Sequence, residues 1–192
     1  MARGRPVAWA LKSMDSDPDV GHHEEMPEFV RRLARSEWQL LREVRLRALA
    51  DTPYAFGSTW EEEQARGDEW WITSVAVLGW FVAVDGAEVT GLIAGIGREN
   101  GDDHHVVSTW VAPERRGSGT AQQLLAAVVE WALDHGGSGL VLDVAENNPR
   151  ARRFYEKVGF VATGASMPLR SHPGVTSHEM RLELGARRAG AA

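Results

Sequence analysis

The segment that most constrains the fold of this 192-residue chain runs from Ser108 to Ala145. An apolar run, "STWVA", enters a turn, "PERRGSG". An amphipathic helix follows, with Leu124, Leu125, Val128, Val129, Ala132 and Leu133 at helical spacing. Gly136 and Gly137 end it, and a second short apolar run, "GLVLDVA", comes next. Two strands joined through a helix lie parallel in one sheet, with a right-handed crossover. The rest of the chain must be arranged around that unit.

The flanking segments read as hairpins and helices. Glu28 to Ala34 fits a first strand. "SEWQLLREVRLRALADTP" fits a helix with Ser36 at its cap, an apolar face of Leu40, Leu41, Val44, Leu46 and Leu49, and an arginine-rich opposite face. It should stop before Pro53. "YAFGSTWEEEQARGDEWW" reads as a loop holding a second short helix. Trp80 to Gly97 reads as two strands turning at Asp85-Gly86, and His104 to Pro113 as another strand. Asn148 stands at a cap position with Pro149 at the first helical position, and Gly159 is placed to close that helix. "VATGASMPL" and "HEMRLEL" are the last strands. The expectation is a mixed α/β (α+β) sheet, antiparallel through its hairpins, with helices on its faces. Residues 27–184 form one domain, between a flexible leader (1–26) and a flexible tail (185–192).

Composition removes several function classes. The formal net charge is -6, so the basic footprint of a nucleic-acid binder is missing. The chain has no cysteine, which excludes disulfides, thiolate nucleophiles and cysteine zinc sites. Its longest apolar run, Val75 to Val84, is too short to span a bilayer. The apolar patch after Arg3 and Arg5 is shorter than a signal-peptide core, so a cytoplasmic protein is expected.

The turn "PERRGSGTAQQLL" places two arginines and two glycines where a helix opens, and helix N-termini bind anions. A Walker A loop needs a lysine after its last glycine, and there is none. In a dinucleotide fingerprint Gly117 and Gly119 fit, and Asp143 lies roughly where a ribose-binding acid belongs. Gln122 occupies the third small position, however, and the turn is too long. A third pattern, Arg/Gln-x-x-Gly-x-Gly/Ala, takes in Arg116, Gly119 and Ala121 together.

With that pattern the chain resembles the GNAT superfamily of acyl-CoA-dependent N-acetyltransferases. "STWVAPERRGSGTAQQLL" is similar to the family's cofactor motif. "LVLDVAENNPRARRFYEKVGF" is similar to its second motif, with Asn148 and Tyr155 in register. The segment from Phe29 to Thr59 is similar to its amino-terminal strand and helices. The resemblance implies a mixed, mostly antiparallel sheet with a splayed parallel strand pair. It implies acetyl-CoA as co-substrate and attack by an amine through a tetrahedral intermediate. Trp110, Val111 and Ala112 would contact the pantetheine arm, and an N–H near Val111 would face the oxyanion. Arg116, Gly117, Ser118, Gly119, Thr120 and Ala121 would hold the pyrophosphate, with Arg116 as a fixed positive charge. Asn148 would touch the cofactor as well as cap its helix. Tyr155 would be the general acid that protonates the departing thiolate.

The general base is not named by the sequence. The strand before the phosphate loop lacks the glutamate common in the family. His104, His105, Asp143 or a water on Ser108 or Thr109 are the candidates. Adjacent histidines such as His104-His105 point to opposite faces of a strand, so no metal is expected. Tyr54, Phe56, Trp60, Trp70 and Trp71 lie where the family builds its acceptor wall. Glu61, Glu62 and Glu63 either attract a cationic acceptor or form a solvated helix start. The acceptor is a small-molecule amine or a protein amine. A non-catalytic CoA-binding module is the other reading, and exposed sheet edges are compatible with a homodimer.

Overall fold

A computed structural model describes residues 28–97 and 103–185. The leader (1–26) lies outside these residues, as does all of the tail but Gly185. The elements run β1 (Phe29–Arg32), α1 (Trp38–Asp51), a 3-10 turn (Pro53–Ala55), α2 (Trp60–Gln64), α3 (Asp68–Val77), β2 (Gly79–Asp85) and β3 (Glu88–Ile96). Then come β4 (Asp103–Val111), a second 3-10 turn (Pro113–Arg115), α4 (Thr120–Asp134), β5 (Gly139–Ala145), α5 (Pro149–Lys157), β6 (Val161–Leu169) and β7 (His172–Glu183).

They form one seven-stranded sheet in the order β1-β2-β3-β4-β5-β7-β6. Every neighbouring pair is antiparallel except β4 and β5, the pair joined through α4. That parallel pairing is short. It covers Asp103 to His105 against Gly139 to Val141, although both strands run on well beyond it. The cause lies in β4 itself. Val107 pairs with Ala94 and Trp110 with Leu92, so Ser108 and Thr109 together oppose the one residue Ile93. Ser108 takes a φ of 59°, a left-handed conformation uncommon outside glycine. A bulge of this kind bends its strand, and here it turns β4 away from β5.

Apolar cores cover both faces. On one, Leu124, Leu125 and Val128 of α4 pack with Phe81, Ile93 and Val106 of the sheet and with Tyr155 and Phe160 at α5. On the other, Leu41 and Val44 of α1 and Trp71 of α3 pack with Val82, Leu92 and Trp110. Trp131 of α4 occupies a notch left by two glycines. A Cβ at Gly79 would lie 2.8 Å from its Cε2, and one at Gly95 would also fall inside contact distance.

Local expectations change in four places. Ser36 does not cap α1. The cap is Glu37, whose carboxylate turns back to accept from Ala34 N–H at 2.7 Å and from Arg31. Arg45 is not on a solvated face. It is 5% exposed and paired with buried Glu63 at 3.0 Å, with Ser58 completing the group. The segment from Tyr54 to Trp71 contributes to two α-helices rather than one, because Thr59 and Glu62 form a reciprocal capping box and Gly67 starts a new helix. The last strand begins at His172, six residues before the "HEMRLEL" run.

Gly95→Ala should lower stability by ~1–3 kcal/mol through overpacking against Trp131. Urea unfolding of the variant checks this. In a Trp131→Leu background the same substitution should cost less, and equal costs in both backgrounds would mean the notch is not what requires glycine.

Candidate functional site

Where β4 leaves β5, a cleft of about 520 Å³ opens between the end of β4, the first turn of α4 and one side of α5. Its walls bring together most of the residues singled out from sequence: Val111, Arg116, Gly117, Gly119, Ala121, Asn148 and Tyr155, with Trp110 at the edge. Ala112, Ser118 and Thr120 are not on its surface.

The α4 wall is open backbone. Gly119 at the helix N-cap has no side chain with which to cap, at φ 100°, and Gly117 stands at φ 94°. A side chain would strain either position. The first-turn N–H groups therefore face the cleft without a side-chain acceptor, a ready place for an anion. Ser118 donates to Arg115 O at 2.7 Å and lies 2.8 Å from the Thr120 hydroxyl, so it braces the loop.

Thr120 points away from the cleft. Its hydroxyl donates to Glu28 Oε2 at 2.6 Å, while Thr90 donates to Oε1 at 2.6 Å and Arg115 Nε reaches the same oxygen at 3.3 Å. Burial pushes the Glu28 carboxyl up, but the Thr120 and Thr90 hydrogen bonds and the Arg115 charge outweigh it and hold it below the ordinary carboxylate range. One carboxylate thus ties the edge of the sheet to the loop that opens α4. Sequence reading passed over Glu28 because its partners are 62 to 92 residues away.

Arg116, expected as a fixed charge for phosphate, is engaged within the protein. It pairs with Asp51 at the end of α1 and donates from Nε to Val111 O at 3.0 Å. Asp51 also accepts from Trp110 Nε1 at 2.8 Å, so the Trp110 ring lies buried under α1. Ala112 has both backbone groups occupied, donating to Thr90 O at 2.8 Å and accepting from Arg115 N at 2.9 Å. By strand alternation, Val111 is the residue whose backbone turns to the fork.

Tyr155 is 7% exposed at the floor. Phe160 N–H donates to Tyr155 O at 2.9 Å and Gly159 N–H to Glu156 O at 3.1 Å, a Schellman closure that locks the end of α5. Burial pushes the phenol pKa up, against a smaller downward effect of a hydrogen bond with Thr109. The group stays protonated at neutral pH and can give a proton. Thr109, beside the bulge, also lines the cleft. Asn148 Oδ1 accepts from Ala151 N–H at 3.1 Å, so the cap exists, and any ligand contact falls to its NH2.

The base candidates separate by face. His104 is buried against Trp131, with ring centroids 5.1 Å apart, and burial lowers its pKa. His105 faces the other way, with Nε2 3.1 Å from Asp143 Oδ2, where the strands part. Among the described residues no group of three metal-ligating side chains comes together, and no helix is long and apolar enough to cross a membrane.

The aromatic wall divides. Trp71 and Phe56 are core, and Arg45 lies over the Phe56 ring at 4.3 Å. Glu62 caps and Glu63 is buried. Trp60 and Glu61 line a second cleft of about 370 Å³ with Pro53 and His172, and the Tyr54 ring lies tilted against His172, centroids 5.2 Å apart.

The acetyltransferase (GNAT) family model matches residues 38–160. Human N-acetylaspartate synthetase is 32% identical over 87 residues, which are 45% of this chain and 28% of that protein. An acetyltransferase of Agrobacterium fabrum is 38% identical over 77 residues, 40% of this chain and 55% of that one. The chain therefore spans about half or less of the length of these curated relatives. The structure of yncA from Salmonella typhimurium, solved with acetyl-CoA, superposes with a TM-score of 0.65 at 18% identity, over 86% of this chain and 99% of that one.

A carboxylate held low in the folded state adds stability above its unfolded pKa and loses it as pH falls through the folded value. The wild type should accordingly lose melting temperature on acidification below about pH 4.3. Glu28→Gln should melt lower at pH 7 and lose less on acidification. Parallel melting curves from pH 7 to 3 would show that Glu28 does not brace the loop.

Proposed function

The chain belongs to the acetyltransferase (GNAT) family, and from that premise we propose that it moves an acetyl group from acetyl-CoA to the primary amine of a small molecule. One observation carries the reading. A single cleft joins the uncapped first turn of α4, the fork between β4 and β5, and the Tyr155 hydroxyl. Anion-binding backbone, an open strand edge and a buried proton donor are the three features that the pyrophosphate, pantetheine arm and thioester of acetyl-CoA require.

Acetyl-CoA supplies an activated carbonyl and a sulfur leaving group. The protein's contributions follow from its own groups. The N–H groups of residues 119–121 bind the pyrophosphate, reinforced by the helix dipole. The Val111 N–H, turned to the fork, stabilises charge on the carbonyl oxygen, the Val111 C=O being taken by Arg116. Arg116 acts as a strut rather than a ligand, holding α1 to the end of β4 through Asp51 and Val111 O. Tyr155 donates a proton to the sulfur as the C–S bond breaks, and since a thiol (pKa about 8.5) is more acidic than the phenol, the phenolate so formed recovers its proton from the attacking nitrogen.

The second cleft supports a small acceptor. It lies across the Leu49 to Ala55 corner from the first, and its volume suits a small molecule better than a peptide. Trp60 and Glu61 both line it, an aromatic ring and a carboxylate of the kinds that attract an ammonium group. The human relative is itself named for an acetylated amino acid.

Thermal-shift titration with acetyl-CoA, CoA and NAD, followed by an amine panel scored for released thiol, tests the reading. Stabilisation by the two CoA species and thiol release with a small amine are expected. Stabilisation without release across the panel would favour a CoA-binding module instead. Tyr155→Phe should lower turnover by ~10²–10⁴ while leaving acetyl-CoA affinity within about twofold. Since burial raises the phenol pKa, the wild-type rate should show no fall-off from loss of this proton below about pH 10. Unchanged turnover in the variant removes Tyr155 from the chemistry.

A further inference from the structure

The cations of the acetyl-CoA cleft are distributed unequally. On the loop wall, Arg115 is paired with Glu28 and with Asp85 at 3.0 Å, and Arg116 with Asp51. On the facing wall, α5 presents Arg150, Arg153 and Lys157, all lining the cleft. Among the described residues, none of these three has an ion-pair partner. Arg152, one position off that row, pairs instead with Glu156 at 3.0 Å.

Only Lys157, in the last turn, suits the dipole of the helix that carries this row. The spacing is i, i+3, i+7, one face of α5 over about 10 Å of axis. Two successive like-charge neighbours at i+3 and i+4 repel. Arg150 lies in a first turn that has no acidic residue, where the helix dipole disfavours a cation. A chain with net charge -6 nevertheless leaves these three cations unneutralised at one cleft. An anionic ligand in the cleft would supply that counter-charge.

Resting on the proposed reading of the cleft, we infer that Arg150, Arg153 and Lys157 recognise the ribose 3′-phosphate of CoA. The pyrophosphate is met by the N–H groups opening α4. The 3′-phosphate is the other anionic group of the molecule, attached one ribose away, and it needs cations on a wall other than that of α4. The row on α5 supplies them as charge-assisted donors, arginine with a fork matched to phosphate oxygens. The protein should accordingly select 3′-phosphorylated CoA over the same molecule without that group.

Calorimetric titration of the full chain with CoA, dephospho-CoA and pantetheine tests this. Wild-type protein should bind CoA about 10–100-fold more tightly than dephospho-CoA, the range expected of hydrogen bonds to a charged group. The triple variant Arg150→Gln/Arg153→Gln/Lys157→Gln should bind both with the wild-type affinity for dephospho-CoA. Arg152→Gln, off the row, should keep the wild-type ratio and serves as the control for altered net charge. All four residues are exposed, and circular dichroism establishes that the variants fold. Equal wild-type affinities for CoA and dephospho-CoA would overturn the assignment. So would a triple variant that loses both by the same factor, since the row would then read the pyrophosphate. If neither nucleotide binds the wild type, the reading of the cleft fails along with it.

Discussion

Everything at this site depends on the parting of β4 from β5. Two parallel strands joined through α4 would ordinarily zip along their whole length and leave no room between them. Here they pair over three residues each, because Ser108 and Thr109 crowd into the space opposite Ile93 and bend β4 away. The bend does three things at once. It exposes the backbone at Val111, brings Thr109 to the Tyr155 hydroxyl, and sets the end of β4 beside the opening of α4. A non-glycine residue at φ 59° is a local cost, and the two apolar cores on either side of the sheet are what hold it.

The loop that opens α4 is held by charge from beneath rather than by a cap from within. Glu28 gathers Thr90, Thr120 and Arg115, and Asp51 gathers Arg116 and Trp110. Both carboxylates neutralise the loop's arginines, which still line the cleft, and leave its backbone N–H groups open. On the proposed reading of the cleft, this division separates rigidity from recognition. The loop arginines set the position of the backbone, and the unpaired cations of α5 face the cleft from the opposite wall.

Much of this was legible along the chain. The strand–helix–strand order dictated the parallel pair, Asp85-Gly86 marked a hairpin, and Asn148, Pro149 and Gly159 bounded α5. These are local signals, since a cap, a turn or a helical period acts between residues fewer than ten apart. Most of the failures have the opposite property; the Ser36 cap is the exception, displaced by contacts no more than six residues away. Arg45 reads as a surface residue until Glu63 and Ser58 close around it, and Ser36 reads as a cap until the Glu37 carboxylate turns back to Ala34 and Arg31. Trp131 went unremarked because the glycines that admit it belong to two other strands.

The sequence by itself determined the order of elements, the mixed sheet with its parallel crossover, and the backbone that opens α4, because periodicity, glycine and caps are properties of neighbouring residues. Only the tertiary structure decided which charges remain free. Arg116 and Arg150 are equally cationic on the page, yet Asp51 neutralises the first and nothing among the described residues neutralises the second. Coulombic pairing depends on distances between chain segments far apart in sequence, and folding alone sets those distances.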